Sequence, residues 1–309
     1  MTITTVVAGV DLSVPSDQAL DRATALAELH HAKLVVVHAQ AEDGPIPNVS
    51  NDVLKQLGEV SAAVRAEETR RLAERVQKIQ TRGVVVELVS ASGAPGEVVA
   101  QTAIERGAEL IVVGTHGHTG ISRFLLGSVA TAVLRHAACD VLVCRGTTGP
   151  SAFQRPLVAT DFSATAARAL AHAALLAEPN ATIEIVHAWQ LPAGSWGATL
   201  LGQARFPWST VRDAVVNAAK VQADKLVAAH AGLGHPLHVE LVQGPPASVI
   251  THAAERGGHD LIAIGTHGSR GFRRLLLGSV AEGTIRHAPC SVLVVHGEHA
   301  GETSRFKKQ

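Results

Sequence analysis

Tyrosine is missing from this 309-residue chain, aromatic residues amount to 3%, and neither sign of charge prevails, since 27 Lys and Arg balance 27 Asp and Glu. A chain without a net positive field lacks the electrostatic footprint of a generic nucleic-acid or acidic-membrane binder. Scarce aromatics also argue against base-stacking platforms. Cysteine is just as thin. Cys139, Cys144 and Cys290 are an odd set without Cys-x-x-Cys spacing, which argues against a disulfide scaffold and a structural zinc site. No apolar run approaches the ~20 residues of a membrane helix. The opening Met-Thr-Ile-Thr-Thr-Val-Val lacks the basic start and long apolar stretch of a signal peptide. The expectation is a soluble, cytoplasmic protein with no nucleic-acid and no membrane partner.

What is present is a large apolar fraction, 46% against 17% charged, which excludes intrinsic disorder. The length suits two domains of about 150 residues. An internal repeat supports that division. Residues 114–143 overlay residues 265–294 at an offset of 151 with 19 identities in 30 positions. Val7-Ala8-Gly9-Val10-Asp11-Leu12-Ser13 likewise answers Val158-Ala159-Thr160-Asp161-Phe162-Ser163. The expected organisation is a first domain over residues 1–146, a linker over 147–153, a second domain over 154–297 and a tail over 298–309.

Within each half, short β-branched runs alternate with helical periodicity. In the first, strands are expected over residues 4–10, 33–38, 84–89, 109–113 and 140–144. Helices are expected over 16–31, 52–82, 96–106 and 128–136, and the second half repeats the plan with an irregular excursion over 189–210. Unbroken Val/Ile/Leu runs mark strands buried on both faces. The fold class is therefore α/β, with a doubly wound parallel sheet in each half.

Two segments carry chemistry. Gly114-x-x-Gly117, nine residues, then Gly127-Ser128 recurs as Gly265-x-x-Gly268, nine residues, then Gly278-Ser279. Each runs from a strand end to a helix start, where glycines let backbone N–H groups approach a phosphate and the helix N-terminus adds donors. Ser128 and Ser279 fall at the expected N-cap, and Arg123, Arg273 and Arg274 lie in the intervening loops. The alternative is that the glycines only turn the chain and the serines only cap. The second segment is the aspartate after the first strand, Asp11 or Asp161, with a serine two residues on. Such a carboxylate suits ribose hydroxyls or a base; alternatively it caps the next helix with the serine's help.

The glycine spacing, the first-strand aspartate, the Val-His-Ala of the second strand and the closing Arg-His-Ala-x-Cys-x-Val-Leu-Val resemble the universal stress protein family, in its tandem form. The resemblance implies five parallel strands per domain in the order 3-2-1-4-5, and ATP, with or without Mg2+, as cofactor. It implies that Asp11 meets ribose or base, that backbone near Val10, Ala39 and Val113 holds adenine, and that Gly114 touches ribose. Gly117, Gly127, Ser128 and Val129 would hold phosphates. The second set is Thr160, Asp161, Ala188, Ile264, Gly265, Gly268, Gly278, Ser279 and Val280. His118 and Ser269 stand where the family often has a basic residue, and Gly9-Val10 replaces the usual Pro/Ala-Thr. The resemblance also implies that the halves pair as a pseudo-dimer through residues 140–145 and 291–296; further homodimerisation stays open.

Histidine is abundant, 17 in all, including His116-Gly-His118 and the repeat-matched His136 and His287. No third ligand accompanies His116 and His118, so no metal site is expected. Catalytic motifs are missing too. Leu126-Gly127-Ser128-Val129-Ala130 lacks the second glycine of a nucleophile elbow, and no Walker lysine follows the glycine loop. The expectation is an ATP-binding stress-response protein that acts through nucleotide-dependent conformation or partner binding. A slow ATPase and a nucleotide-independent scaffold are the alternatives.

Overall fold

The computed structural model describes residues 2–40, 50–115, 126–146, 152–191, 208–266 and 277–297. The chain divides into two units, Met1–Ser151 and Ala152–Gln309. The first is built from β1 (Thr5–Gly9), α1 (Val14–His30), β2 (Lys33–Gln40), α2 (Asn51–Gln80), β3 (Val86–Ser92), α3 (Pro95–Glu105), β4 (Leu110–Gly114), α4 (Ser128–His136) and β5 (Asp140–Cys144). The second follows the same plan: β6 (Pro156–Ala159), α5 (Ala164–Leu176), β7 (Ile183–Trp189), α6 (Trp208–His230), β8 (Leu237–Gln243), α7 (Pro246–Gly257), β9 (Leu261–Gly265), α8 (Ser279–His287) and β10 (Ser291–Val295).

Within each unit the described strands pair in parallel. In the first unit β2 lies between β3 and β1, and β4 between β1 and β5. In the second, β7 lies between β8 and β6, and β9 between β6 and β10. β1 and β4 thus run side by side while their continuations lead to opposite edges, which opens the switch-point crevice beyond their C-terminal ends. Val6, Val7, Ala8, Leu34, Ile111 and Val141 are buried completely, as strands covered on both faces require.

At the opposite, N-terminal edge an acidic side chain ties the first strand down in each unit. Glu109 accepts bonds from the Thr4 and Thr5 N–H groups at 3.0 and 2.9 Å. Asp260 accepts from the Gln154 and Arg155 N–H groups at 2.7 and 3.0 Å. These carboxylates replace the ladder partners that a strand start lacks.

Cys144 at the end of β5 is buried, and Cys139 just before β5 is of intermediate burial. Within the stretch read as a linker, Phe153 is a core residue of the second unit, 1% exposed. Its N–H donates to Leu176 O and its carbonyl accepts from Glu178 N, both at 2.8 Å. A context rich in Gly, Thr, Pro and Ser taken together hides one bulky apolar side chain, and burial of that side chain decides where the chain goes.

Candidate functional site

Each first strand ends in the residue pair that carries the carboxylate. Asp11 Oδ1 accepts from the Ser13 N–H at 3.0 Å and from its hydroxyl at 2.5 Å. Ser13, in extended conformation, is the N-cap of α1 and accepts from Ser16 N. Asp161 Oδ1 accepts from Ser163 N at 3.0 Å, and Ser163 caps α5 by accepting from Ala166 N at 3.2 Å. The expected alternative, aspartate as cap with serine assisting, is therefore inverted. Serine caps the helix, and the aspartate holds the serine.

Between carboxylate and cap lies a residue in the left-handed region, Leu12 or Phe162, each with φ 63°. A bulky side chain there costs about 1–2 kcal/mol. Both units keep that strained corner, and it turns the chain sharply from strand end to helix start.

A histidine braces the same corner, a contact that the sequence reading missed. His38 Nδ1 lies 2.8 Å from Val10 O, and His187 Nδ1 lies 2.8 Å from Thr160 O. A carbonyl only accepts, so Nδ1 carries the proton. Val10 N and Thr160 N meanwhile donate to Val37 O and Val186 O at 2.9 and 3.0 Å. The backbone at Val10 and Thr160, expected beside adenine, is thus already bonded on both sides, with one carbonyl lone pair left over.

Gly114 and Gly265 close the fourth strand of each unit. A Cβ on Gly114 would lie 2.8 Å from Pro15 O, and one on Gly265 would lie 2.7 Å from Thr165 Cγ2. The first turn of α1 or α5 presses on the strand end, so these glycines have a packing reason besides any ligand. Gly127 N donates to Thr115 O at 2.7 Å and Gly278 N to Thr266 O at 2.9 Å. Those bonds bring the starts of α4 and α8 back onto the ends of β4 and β9.

The serines do not cap these helices. The N-caps are Gly127 and Gly278, both extended, and their carbonyls accept the first helical bonds from Thr131 N and Glu282 N. Ser128 and Ser279 are the first helical residues, exposed, and no side chain bonds either helix start at its cap. Both helices therefore begin with N–H groups that no capping side chain uses. Val129 and Val280 follow in the same turns.

Among the described candidates, the strand pairing brings Val10, Asp11, Ala39, Val113, Gly114, Gly127 and Ser128 to one edge of the first unit. It brings Thr160, Asp161, Ala188, Ile264, Gly265, Gly278 and Ser279 to the matching edge of the second. Gly117, Gly268, His116, His118, Ser269, Arg123, Arg273 and Arg274 lie outside the described residues. The abundant histidines do a common job: the Nδ1 atoms of His38, His187, His230, His235, His259 and His287 each meet a backbone carbonyl at 2.8–3.0 Å. Among the described residues no three His, Cys, Asp or Glu gather as a metal site, and no helix is long and apolar enough to cross a membrane.

The universal stress protein family model matches this chain twice, over residues 2–145 and 152–296. Universal stress protein YxiE of Bacillus subtilis is 31% identical over 140 residues, which is 44% of this chain and 95% of that protein. The crystal structure of a universal stress protein from Archaeoglobus fulgidus covers 96% of this chain and 97% of its own, with a TM-score of 0.63 at 24% identity. A universal stress protein solved in complex with cAMP matches 48% of this chain and 100% of its own at 33% identity, with a TM-score of 0.36.

Proposed function

This chain belongs to the universal stress protein family as a tandem member, and on that premise we propose that each unit binds an adenine nucleotide, ATP, beyond the C-terminal ends of its first and fourth strands. The bound nucleotide then biases conformation or partner binding in a stress response. One observation carries the proposal. α4 and α8 start on a bare glycine cap after the strand paired with the one that leads to Asp11 or Asp161, in two copies, whereas α1 and α5 are capped by a serine.

First-turn N–H groups without a capping side chain, at the positive end of a helix, suit phosphate oxygens. Asp11 and Asp161, placed by Ser13 and Ser163, suit ribose hydroxyls, which donate to a carboxylate. Among the described residues of this donor set none is an activated nucleophile, and on this reading the nucleotide acts as a ligand that signals by occupancy.

Equilibrium dialysis of nucleotide-stripped protein against ATP, ADP and cAMP tests this. ATP binding is expected, with a loss of tenfold or more when Asp11→Ala and Asp161→Ala are combined, since a hydrogen bond to a charged group contributes ~1.5–3 kcal/mol. Binding untouched by both substitutions would overturn the assignment. Multiple-turnover phosphate release would replace it with the ATPase alternative.

A further inference from the structure

The two edges are built alike but lined differently. In the first unit the corner residue Leu12 is 6% exposed, and the bracing His38 is 5% exposed, with Glu68 Oε2 of α2 at 3.7 Å from its Nε2. In the second unit the corner residue is Phe162, and Phe162, His187 and Trp189 are all partly exposed. The Phe162 and His187 rings stand 4.4 Å apart between centroids, tilted by 34°. His187 cannot drift, because its Nδ1 is tied to Thr160 O at 2.8 Å. Trp189 follows His187 by two residues on β7, which puts both on one face of the sheet. The first unit has Gln40 at the matching place.

Exposed aromatic side chains are rare currency in a chain that is 3% aromatic. Gathering them directly after Asp161, where Leu12 is sealed into the core of the first unit, gives the second site flat π-faces that the described residues of the first site lack. We propose that Phe162 and His187, with Trp189 beside them, form a base-stacking wall. The second unit is then the purine-selective site, whereas the first holds nucleotides through ribose and phosphate with little discrimination between bases. This inference rests on the nucleotide-binding reading and adds to it which unit reads the base. A purine overlaps such a wall over two fused rings and a pyrimidine over one, so stacking separates the two classes where phosphate contacts do not.

The test is calorimetric titration of the full, nucleotide-stripped chain with ATP and with CTP. Asp11→Ala isolates the second site, and Asp161→Ala isolates the first. The second site is expected to favour ATP over CTP by about tenfold or more, and the first by less than about threefold. Phe162→Leu in the Asp11→Ala background should collapse the preference to that of the first site. The backbone accepts that change, because Leu12 already occupies the same φ of 63°. Equal preference at both sites, or a preference that survives Phe162→Leu, overturns the inference while leaving nucleotide binding intact. A wild-type chain that binds neither nucleotide removes the underlying reading, and this inference falls with it.

Discussion

Gly96 on α3 meets Ala132 on α4 so closely that a Cβ on Gly96 would lie 2.4 Å from that of Ala132. In the second unit the partners are exchanged: Ala247 on α7 faces Gly283 on α8, where an added Cβ would lie 3.0 Å away. Each crossing has room for one methyl group, and the two units placed it on opposite helices. The crossing matters to the site because α4 and α8 carry the glycine-capped starts.

Gly96→Ala should therefore destabilise the first unit by about 1–3 kcal/mol, an overpacking penalty that outweighs the small helix-propensity gain near a helix start. Adding Ala132→Gly should restore most of the loss, because it recreates the arrangement of the second unit. Urea denaturation of the three variants closes the double-mutant cycle. Additive losses would contradict the one-methyl account.

The strand-end glycines should respond unequally to alanine. At Gly114 the obstacle is backbone, Pro15 O at 2.8 Å, whereas at Gly265 it is the Thr165 side chain. Gly114→Ala should lower the melting temperature by several degrees, and Gly265→Ala should be milder and relieved by Thr165→Ser. Differential scanning calorimetry measures both.

Acid should unpick the first unit at β3. Arg106 and Lys33 both donate to Glu87 and hold its carboxyl down to about 2. An unfolded glutamate titrates near ~4.3. The stabilisation is thus present above pH ~4.3 and lost as pH falls towards about 2. Glu87→Gln should be less stable at pH 7 and lose less between pH 5 and pH 2, read as urea midpoints across that range.

Cysteine chemistry should be silent in the native state. Burial pushes the Cys139 and Cys144 thiols up to about 12, with Asp140 adding to the effect at Cys139. Thiolate is the reactive form, so iodoacetamide at pH 8 should label these two slowly in native protein and all three cysteines quickly after unfolding.

Element order was legible in the sequence because it rests on periodicity. Unbroken Val and Ile runs placed the strands, and the repeat at residues 114–143 and 265–294 placed the duplication. Contacts that no periodicity encodes were not legible. Ser128 has the residue type of a cap, yet the extended backbone and first helical bond belong to Gly127. The capping alternative gives Asp11 the cap and Ser13 the assisting role, but both residue types cap helices and only the Ser16 N–H decides between them, in favour of Ser13. The Val-His-Ala motif marks His38 and His187, but their contacts were not legible, because each acts on a carbonyl beyond a neighbouring strand. Leu12 and Phe162 looked like ordinary apolar residues, and their shared φ of 63° is invisible without coordinates.

The central claim is that both glycine-capped edges hold a nucleotide. Protein purified under native conditions, then denatured, releases whatever it carried, and mass spectrometry identifies and counts it. The account predicts adenine nucleotide at close to two per chain once ATP is supplied to saturation. A chain that carries none and takes up none on titration with ATP would contradict it, and would leave the glycines as turn and packing residues of a scaffold.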